Sequence, residues 1–220
     1  MTLDGPAGAG KTSTAKEVAR RLGLRHLDSG ALYRALTFAL REKGFPEDRW
    51  PDLEPDELRA LGVSLRGTPS GFEVRLGERV LGKELRSSEV TSRVSLLASL
   101  PAVRACLLEL QQSAGEQGGL VADGRDMGTV VFPDAEVKVF LIADLHERAR
   151  RRILQDGSEP ASPETLAAEA AAIARRDDQD AGREISPLRK PDGAVEIDTT
   201  GRSFEEQVDA IVDLVRQLTL

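Results

Sequence analysis

The sequence predicts an α/β fold with a central parallel sheet, and three observations carry that expectation. Near the start, Gly5-Pro6-Ala7-Gly8-Ala9-Gly10-Lys11-Thr12 matches the pattern G-x-x-x-x-G-K-[ST] in full, with a short apolar strand before it and a helical pattern after it. Residues 137–143 form a near-continuous apolar run, as expected for a strand covered on both faces. Strict alternation of apolar and polar residues is confined to the stretch 63–81, so hairpins belong to an inserted piece rather than to the main sheet.

The elements follow in order. Residues 1–4 read as the end of a strand, shorter than the usual ~5–6 residues; either a few residues precede them in the natural chain or this strand is trimmed. Residues 13–22 read as a helix with Ala15, Val18, Ala19 and Leu22 on one face, stopped by Gly23. A helix over 31–42 carries Leu32, Leu36, Ala39 and Leu40, and Gly44 closes it. Residues 45–55 read as a loop and 56–61 as a short helix. Phe72-Glu73-Val74-Arg75-Leu76 alternates between two glycine turns, the signature of an antiparallel meander. Helices are expected over 87–98 and 101–114, the second opening with Pro101. Leu120-Val121-Ala122-Asp123 returns to the sheet. A basic helix spans 145–155, a turn 156–163 and a helix 163–176, while 177–192 reads as charged and irregular. Residues 195–198 form the last strand. The final helix opens with the capping box Ser203-x-x-Glu206.

Composition narrows the function. The chain has 220 residues, enough for one α/β domain with a small insertion. Its 30 basic and 37 acidic residues leave a net charge of −7, which disfavours generic binding to nucleic acid or to membrane surfaces. No membrane-length apolar run and no signal segment is present, so a cytoplasmic location is expected. The single cysteine, Cys106, falls in an apolar helical stretch and reads as a buried thiol. No exposed apolar stripe demands a partner, so a monomer is expected.

The chemistry starts at the glycine loop. Its backbone N–H groups suit phosphate oxygens, Lys11 suits the β- and γ-phosphates, and the Thr12 hydroxyl suits Mg²⁺. Asp123 ends a buried strand and opens the cluster Asp123-Gly124-Arg125-Asp126, the position of a second Mg²⁺ ligand. Arg148, Arg151 and Arg152 share a helical face with Gln155, without acidic partners at i+4. Such a face suits a lid closing on phosphates, and a plain solvated surface is the alternative. The guanine-reading [NT]KxD pattern is missing; the nearest match, Arg189-Lys190-Pro191-Asp192, begins with arginine. These residues support a small-molecule kinase with an anionic acceptor and do not name the acceptor. Another P-loop kinase and a nucleotide-binding module without turnover stay open.

With the glycine loop, Asp28-Ser29-Gly30-Ala31-Leu32-Tyr33-Arg34, Gly124-Arg125-Asp126-Met127-Gly128-Thr129 and Arg176-Asp177-Asp178 in view, the chain resembles the bacterial cytidylate kinases over essentially its whole length. The resemblance implies a single three-layer P-loop kinase domain over 1–220, with a central parallel sheet. It also implies an inserted part of an NMP-binding subdomain near 45–86, bearing a small antiparallel sheet, and a lid near 145–190. The implied reaction moves the γ-phosphoryl group of ATP to CMP or dCMP with Mg²⁺. Gly5, Pro6, Ala7, Gly8, Ala9, Gly10, Lys11, Thr12 and Ser13 would bind ATP, with Thr12 and Asp123 at the metal. Ser29, Arg34 and Arg125 would bind the acceptor phosphate, and Tyr33 and Asp180 the sugar. Ser95, Arg104, Asp126 and Arg183 would line the base pocket. Lys11, Arg125 and Arg176 would act on the transferring group. Gln179 and Ala181-Gly182 depart from the more charged stretch that related chains often carry there.

Overall fold

A computed structural model describes residues 1–155 and 162–219 of the chain. In chain order the strands are β1 (Thr2–Asp4), β2 (Arg25–Asp28), β3 (Val63–Thr68), β4 (Gly71–Leu76), β5 (Arg79–Val80), β6 (Leu120–Gly124), β7 (Lys138–Ile142) and β8 (Val195–Asp198). The helices are α1 (Lys11–Leu22), α2 (Ser29–Glu42), α3 (Pro55–Ala60), α4 (Ser88–Thr91), α5 (Val94–Leu97), α6 (Pro101–Gly115), α7 (Leu145–Gln155), α8 (Pro163–Ala181) and α9 (Phe204–Thr219). The chain divides into two compact units, one made of Met1–Gly23 with Val121–Leu220 and the other of Leu24–Leu120.

The first unit is built on a parallel sheet in the order β6-β1-β7-β8. Strand β1 has only three residues, yet it is paired on both sides: Leu3 stands opposite Asp123 on β6 and Val139 on β7. Thr2, Leu3 and Asp4 of β1 are all fully buried, so both faces of that strand are covered, whereas β7 buries Val139 and Leu141 completely and leaves Lys138, Phe140 and Ile142 half-buried on its other face. Helix α1 buries Ala15, Val18 and Ala19, and it ends as Gly23 turns left-handed and returns its N–H to the Ala19 and Arg20 carbonyls. Against α1 lies α9, which buries Val208, Ile211 and Val212. The capping box forms: Ser203 N–H donates to Glu206 at 2.8 Å, and Glu206 N–H donates to the Ser203 hydroxyl at 3.3 Å.

In the second unit the meander forms as expected, β3 and β5 each pairing antiparallel with β4. It is not a detached sheet, because β4 also meets β2 in parallel where Gly71 stands opposite His26. A Cβ on Gly71 would overlap the His26 carbonyl, so only glycine allows this approach. The core gathers Leu32, Leu36 and Leu40 of α2 with Trp50, Leu58, Leu97 and Leu107. Cys106 lies in it, and burial pushes its thiol pKa up.

Three segments differ from expectation. The stretch 87–98 is not one helix: α4 and α5 are single turns separated at Ser92-Arg93. The Ser87 side chain caps α4, and Arg93 turns aside to an ion pair with Glu47, so polar contacts interrupt the apolar period. The loop 45–55 contains a 3₁₀ segment, Glu47–Asp52, that buries Trp50. Helix α8 runs on to Ala181, five residues past the expected end at 176, because its acidic residues find basic and backbone partners within the first unit. The expected turn at 156–163 lies mostly outside the described residues.

Gly5 has φ +148°, and a Cβ there would overlap the Leu141 carbonyl oxygen of β7. Gly5→Ala should therefore destabilise the chain by about 4 kcal/mol or more. Urea unfolding followed by circular dichroism checks this, and a loss under about 1 kcal/mol would mean that β1 shifts to relieve the overlap.

Candidate active site

In the first unit the glycine loop leaves β1 at Gly5 and enters α1 at Lys11, with Gly8 and Gly10 at positive φ. The loop is clasped from outside. Ala7 packs with Ala149, Ala170 and Ile173 of the α7–α8 pair. Ala7 N–H donates to Asp177 at 2.8 Å, and Arg148 donates to the Ala7 carbonyl at 3.0 Å while pairing with Asp177. Buried Lys11 donates to the Pro6 carbonyl at 2.7 Å. Burial holds its pKa well below the ordinary lysine value, with Arg125 acting in the same direction.

Acidic and basic groups alternate beside it. The Thr12 hydroxyl donates to Asp123 at 2.6 Å, which brings the two residues expected at a metal together. Arg125 donates to Asp180 at 2.8 Å, and Arg183 pairs with the other oxygen of the same carboxylate. Burial alone would raise the Asp180 pKa; the two guanidinium charges outweigh it and keep it low. Asp126 is buried, and both Arg125 and Arg176 lie close enough to Lys11 to depress its pKa. The first unit thus gathers Lys11, Thr12, Asp123, Arg125, Arg176, Asp180 and Arg183, with Asp126 beside Arg125 in the chain.

The basic face of α7 is not unpaired, contrary to expectation. Arg151 meets Glu147 one turn earlier and also donates to Thr199, and Arg152 meets Glu169 of α8. The acids lie at i−4 and on distant segments, where a search at i+4 does not find them. Arg148 is buried and spends its charge on Asp177 and on the carbonyls of Ala7 and Ala143.

In the second unit, Ser29 is buried at the start of α2, whose N-cap Asp28 accepts from Ala31 N–H at 3.0 Å. Arg34 lies 4.0 Å from Asp28. Arg104 is buried, donating to the Ala98 carbonyl at 2.8 Å and to the Tyr33 hydroxyl at 3.3 Å, with its guanidinium over the Tyr33 ring. Ser95 lies half-buried on α5. Tyr33 and Arg104 are thus brought together directly, whereas Ser95 is placed on a neighbouring turn.

The sequence profile of the cytidylate kinase family matches residues 1–217. The chain belongs to that family. It is 43% identical to the cytidylate kinase of Chloroherpeton thalassium (strain ATCC 35110 / GB-78), over 97% of this chain and 92% of that one. It is 40% identical to the cytidylate kinase of Acholeplasma laidlawii (strain PG-8A), over 98% of this chain and 94% of that one. A bifunctional pantoate ligase/cytidylate kinase of Synechococcus sp. (strain WH7803) is 46% identical over 98% of this chain, which spans 44% of that protein's length.

Two site features of this cytidylate kinase family member were not foreseen. Asp177 stands in the Arg176-Asp177-Asp178 motif, which by itself assigns it no role. Asp4 was read as a strand end, and an acidic residue closing an apolar strand is the signal that would have found it. Asp4 is fully buried and accepts from the backbone N–H groups of Met127 at 2.9 Å and Gly128 at 2.8 Å. Burial outweighs those bonds and raises its pKa to about 6. A carboxyl whose folded pKa lies above its unfolded value contributes stability below the unfolded value and loses it as pH rises through the folded one. Between about pH 4 and pH 7, Asp4→Asn should gain stability relative to the parent by about 3 kcal/mol. Urea unfolding of both proteins across that range checks the difference; a difference independent of pH overturns the shifted titration.

Proposed function

We propose that this chain transfers the γ-phosphoryl group of ATP to CMP or dCMP, giving ADP and CDP or dCDP. The observation that supports this most is the Gly124–Thr129 segment, whose Arg125 lies beside Lys11 of the phosphate loop while Asp126 is buried next in the chain. The loop proposed for the donor thus shares one unit with Arg125 and Asp126, two of the residues proposed for the acceptor. Family membership supports the same reading.

In this reading an acceptor phosphate oxygen attacks the γ-phosphorus. The bond from that phosphorus to the β,γ-bridging oxygen breaks, and its electron pair leaves with ADP. Transfer between two anions needs positive charge around the equatorial oxygens. We assign that role to Lys11, Arg125 and Arg176. Residues Gly5 to Ser13 wrap the donor phosphates, the N-terminus of α1 adding its partial positive charge. The hydroxyl of Thr12 and the carboxylate of Asp123 are hard oxygen donors already in contact, and Mg²⁺ suits such a pair because it keeps waters and phosphate oxygens as its other ligands. No cluster of three or more His, Cys, Asp or Glu is present among the described residues, which also suits Mg²⁺ shared with substrate. When bound, Mg²⁺ would neutralise phosphate charge there.

We assign Ser29 and Arg34, with Arg125, to the acceptor phosphate, and Tyr33 and Asp180 to the sugar. Ser95, Arg104, Asp126 and Arg183 are assigned to the base. Asp126 accepts from the cytosine amine, whereas a uracil carbonyl would face the carboxylate unpaired. The stretch near 145–190 is the proposed lid and that near 45–86 the inserted part of the acceptor subdomain. A monomer in the cytoplasm completes the proposal, since ATP and nucleoside monophosphates are available there.

A coupled ADP-release assay with CMP, dCMP, UMP and AMP tests the reaction. CMP or dCMP should be the preferred acceptor, and a preference for UMP or AMP would exclude the proposal. Lys11→Met should lower turnover by about 10²-fold or more; a nucleotide-binding module would have no turnover to lose. Asp126→Ala should reduce the CMP-over-UMP preference by about tenfold or more. Unchanged preference with lower turnover would reassign Asp126 to the scaffold.

A further inference from the structure

Asp4 has a task that neither its strand nor the glycine loop requires. It is the last residue of β1, paired in parallel with Gly124 of β6 and Phe140 of β7, and it directly precedes Gly5. Its side chain reaches 123 and 124 residues along the sequence, where Oδ1 accepts from Met127 N–H and Oδ2 from Gly128 N–H.

Those residues open a single π-turn, Met127–Val131, closed by Phe132 N–H donating to the Met127 carbonyl at 2.7 Å. A turn bonded from i+5 back to i leaves its leading N–H groups without partners inside the turn. Asp4 supplies both partners. The residue just before the turn is Asp126, whose carbonyl accepts from Val130 N–H at 2.9 Å and Val131 N–H at 3.2 Å. The main chain is therefore fixed on the C-terminal side of Asp126 at two levels. The turn bonds its carbonyl, and Asp4 bonds the next two N–H groups. Only a carboxylate offers two acceptor oxygens and no donor in so small a side chain. An apolar residue would fill the space without the cost of burying a charge.

We infer that Asp4 is a positioning residue for acceptor selection, fixing the main chain at Asp126 and so the direction of its carboxylate. This rests on the base-reading role proposed for Asp126. The alternative is that Asp4 only secures the glycine loop that follows it, and the two differ in which substrate is affected.

Asp4→Asn keeps the size of the side chain but turns an amide NH₂ toward one of the two backbone donors. Bonds of this kind lost at a positioning residue should raise the CMP KM by about tenfold and reduce the CMP-over-UMP preference by about tenfold, with the ATP KM changed less than about threefold. In the double variant Asp4→Asn/Asp126→Ala, selectivity should equal that of Asp126→Ala alone, because Asp4 acts through Asp126. Selectivity losses that simply add overturn the inference. So does a change confined to the ATP KM, which assigns Asp4 to the donor loop. Thermal melts accompany each variant. If Asp4→Asn does not fold, Asp4→Ser, which keeps one acceptor, takes its place; if neither folds, Asp4 is a fold determinant and the inference is overturned. A parent without CMP preference refutes the proposed reaction before any variant is made. A parent with that preference, and Asp126→Ala that keeps it, refutes the base-reading role on which the inference stands.

Discussion

The first unit depends on the pairing of β1 between β6 and β7. Three residues of strand bring the glycine loop, the Asp123 carboxylate and the Arg125-Asp126 segment to the same ends of parallel strands. Parallel register fixes which residues emerge together, since Asp4 and Gly124 stand opposite one another and the chains leave the sheet from there. The approach of Gly5 to β7 leaves no space for a side chain. Sheet pairing and phosphate-loop geometry are therefore one constraint, and the loop cannot be repacked without disturbing the sheet.

Electrostatics then decides which charges the unit can bury. Asp180 pairs with two guanidinium groups through its two oxygens, so removal of solvent from the carboxylate is offset by close opposite charge and by hydrogen bonds. Asp4 accepts from two backbone N–H groups, and burial outweighs them, so its pKa is raised. Lys11 is held low by burial and by neighbouring cations. A polyanion placed against Lys11, Arg125 and Arg176 would relieve that mutual repulsion, which is the physical reason for proposing phosphate there.

Much of this was legible in the sequence, because it is encoded locally. The glycine loop, the capped α9, the apolar run of β7 and the alternating β4 each declare themselves within a few neighbouring residues. What was not legible involves partners far apart in the chain. The length of α8 depends on Asp177 and Asp180 meeting Ala7, Arg148, Arg125 and Arg183, and no pattern within 163–181 announces them. The pairing of α7 arginines with Glu169 and Thr199 escaped for the same reason. The break at Ser92-Arg93 was masked by an apolar period that spans it. Motifs announce the proposed site residues of the loop and of Gly124–Thr129, whereas Asp4 and Asp177 accept from backbone N–H groups, which leave no trace in residue spacing.

The clasp on Ala7 has a consequence for affinity. Ordering a flexible glycine-rich loop around a phosphate would cost conformational entropy at the moment of binding. Here the loop's N–H and carbonyl at Ala7 are already bonded to Asp177 and Arg148, and Gly8 lies against the Arg148 side chain. The stiffness of the phosphate loop is thus borrowed from the α7–α8 pair, more than a hundred residues away in the chain. With the loop holding phosphate as proposed, preorganisation of this kind would make nucleotide affinity sensitive to sequence at 148 and 177, even where the G-x-x-x-x-G-K-T pattern is left intact.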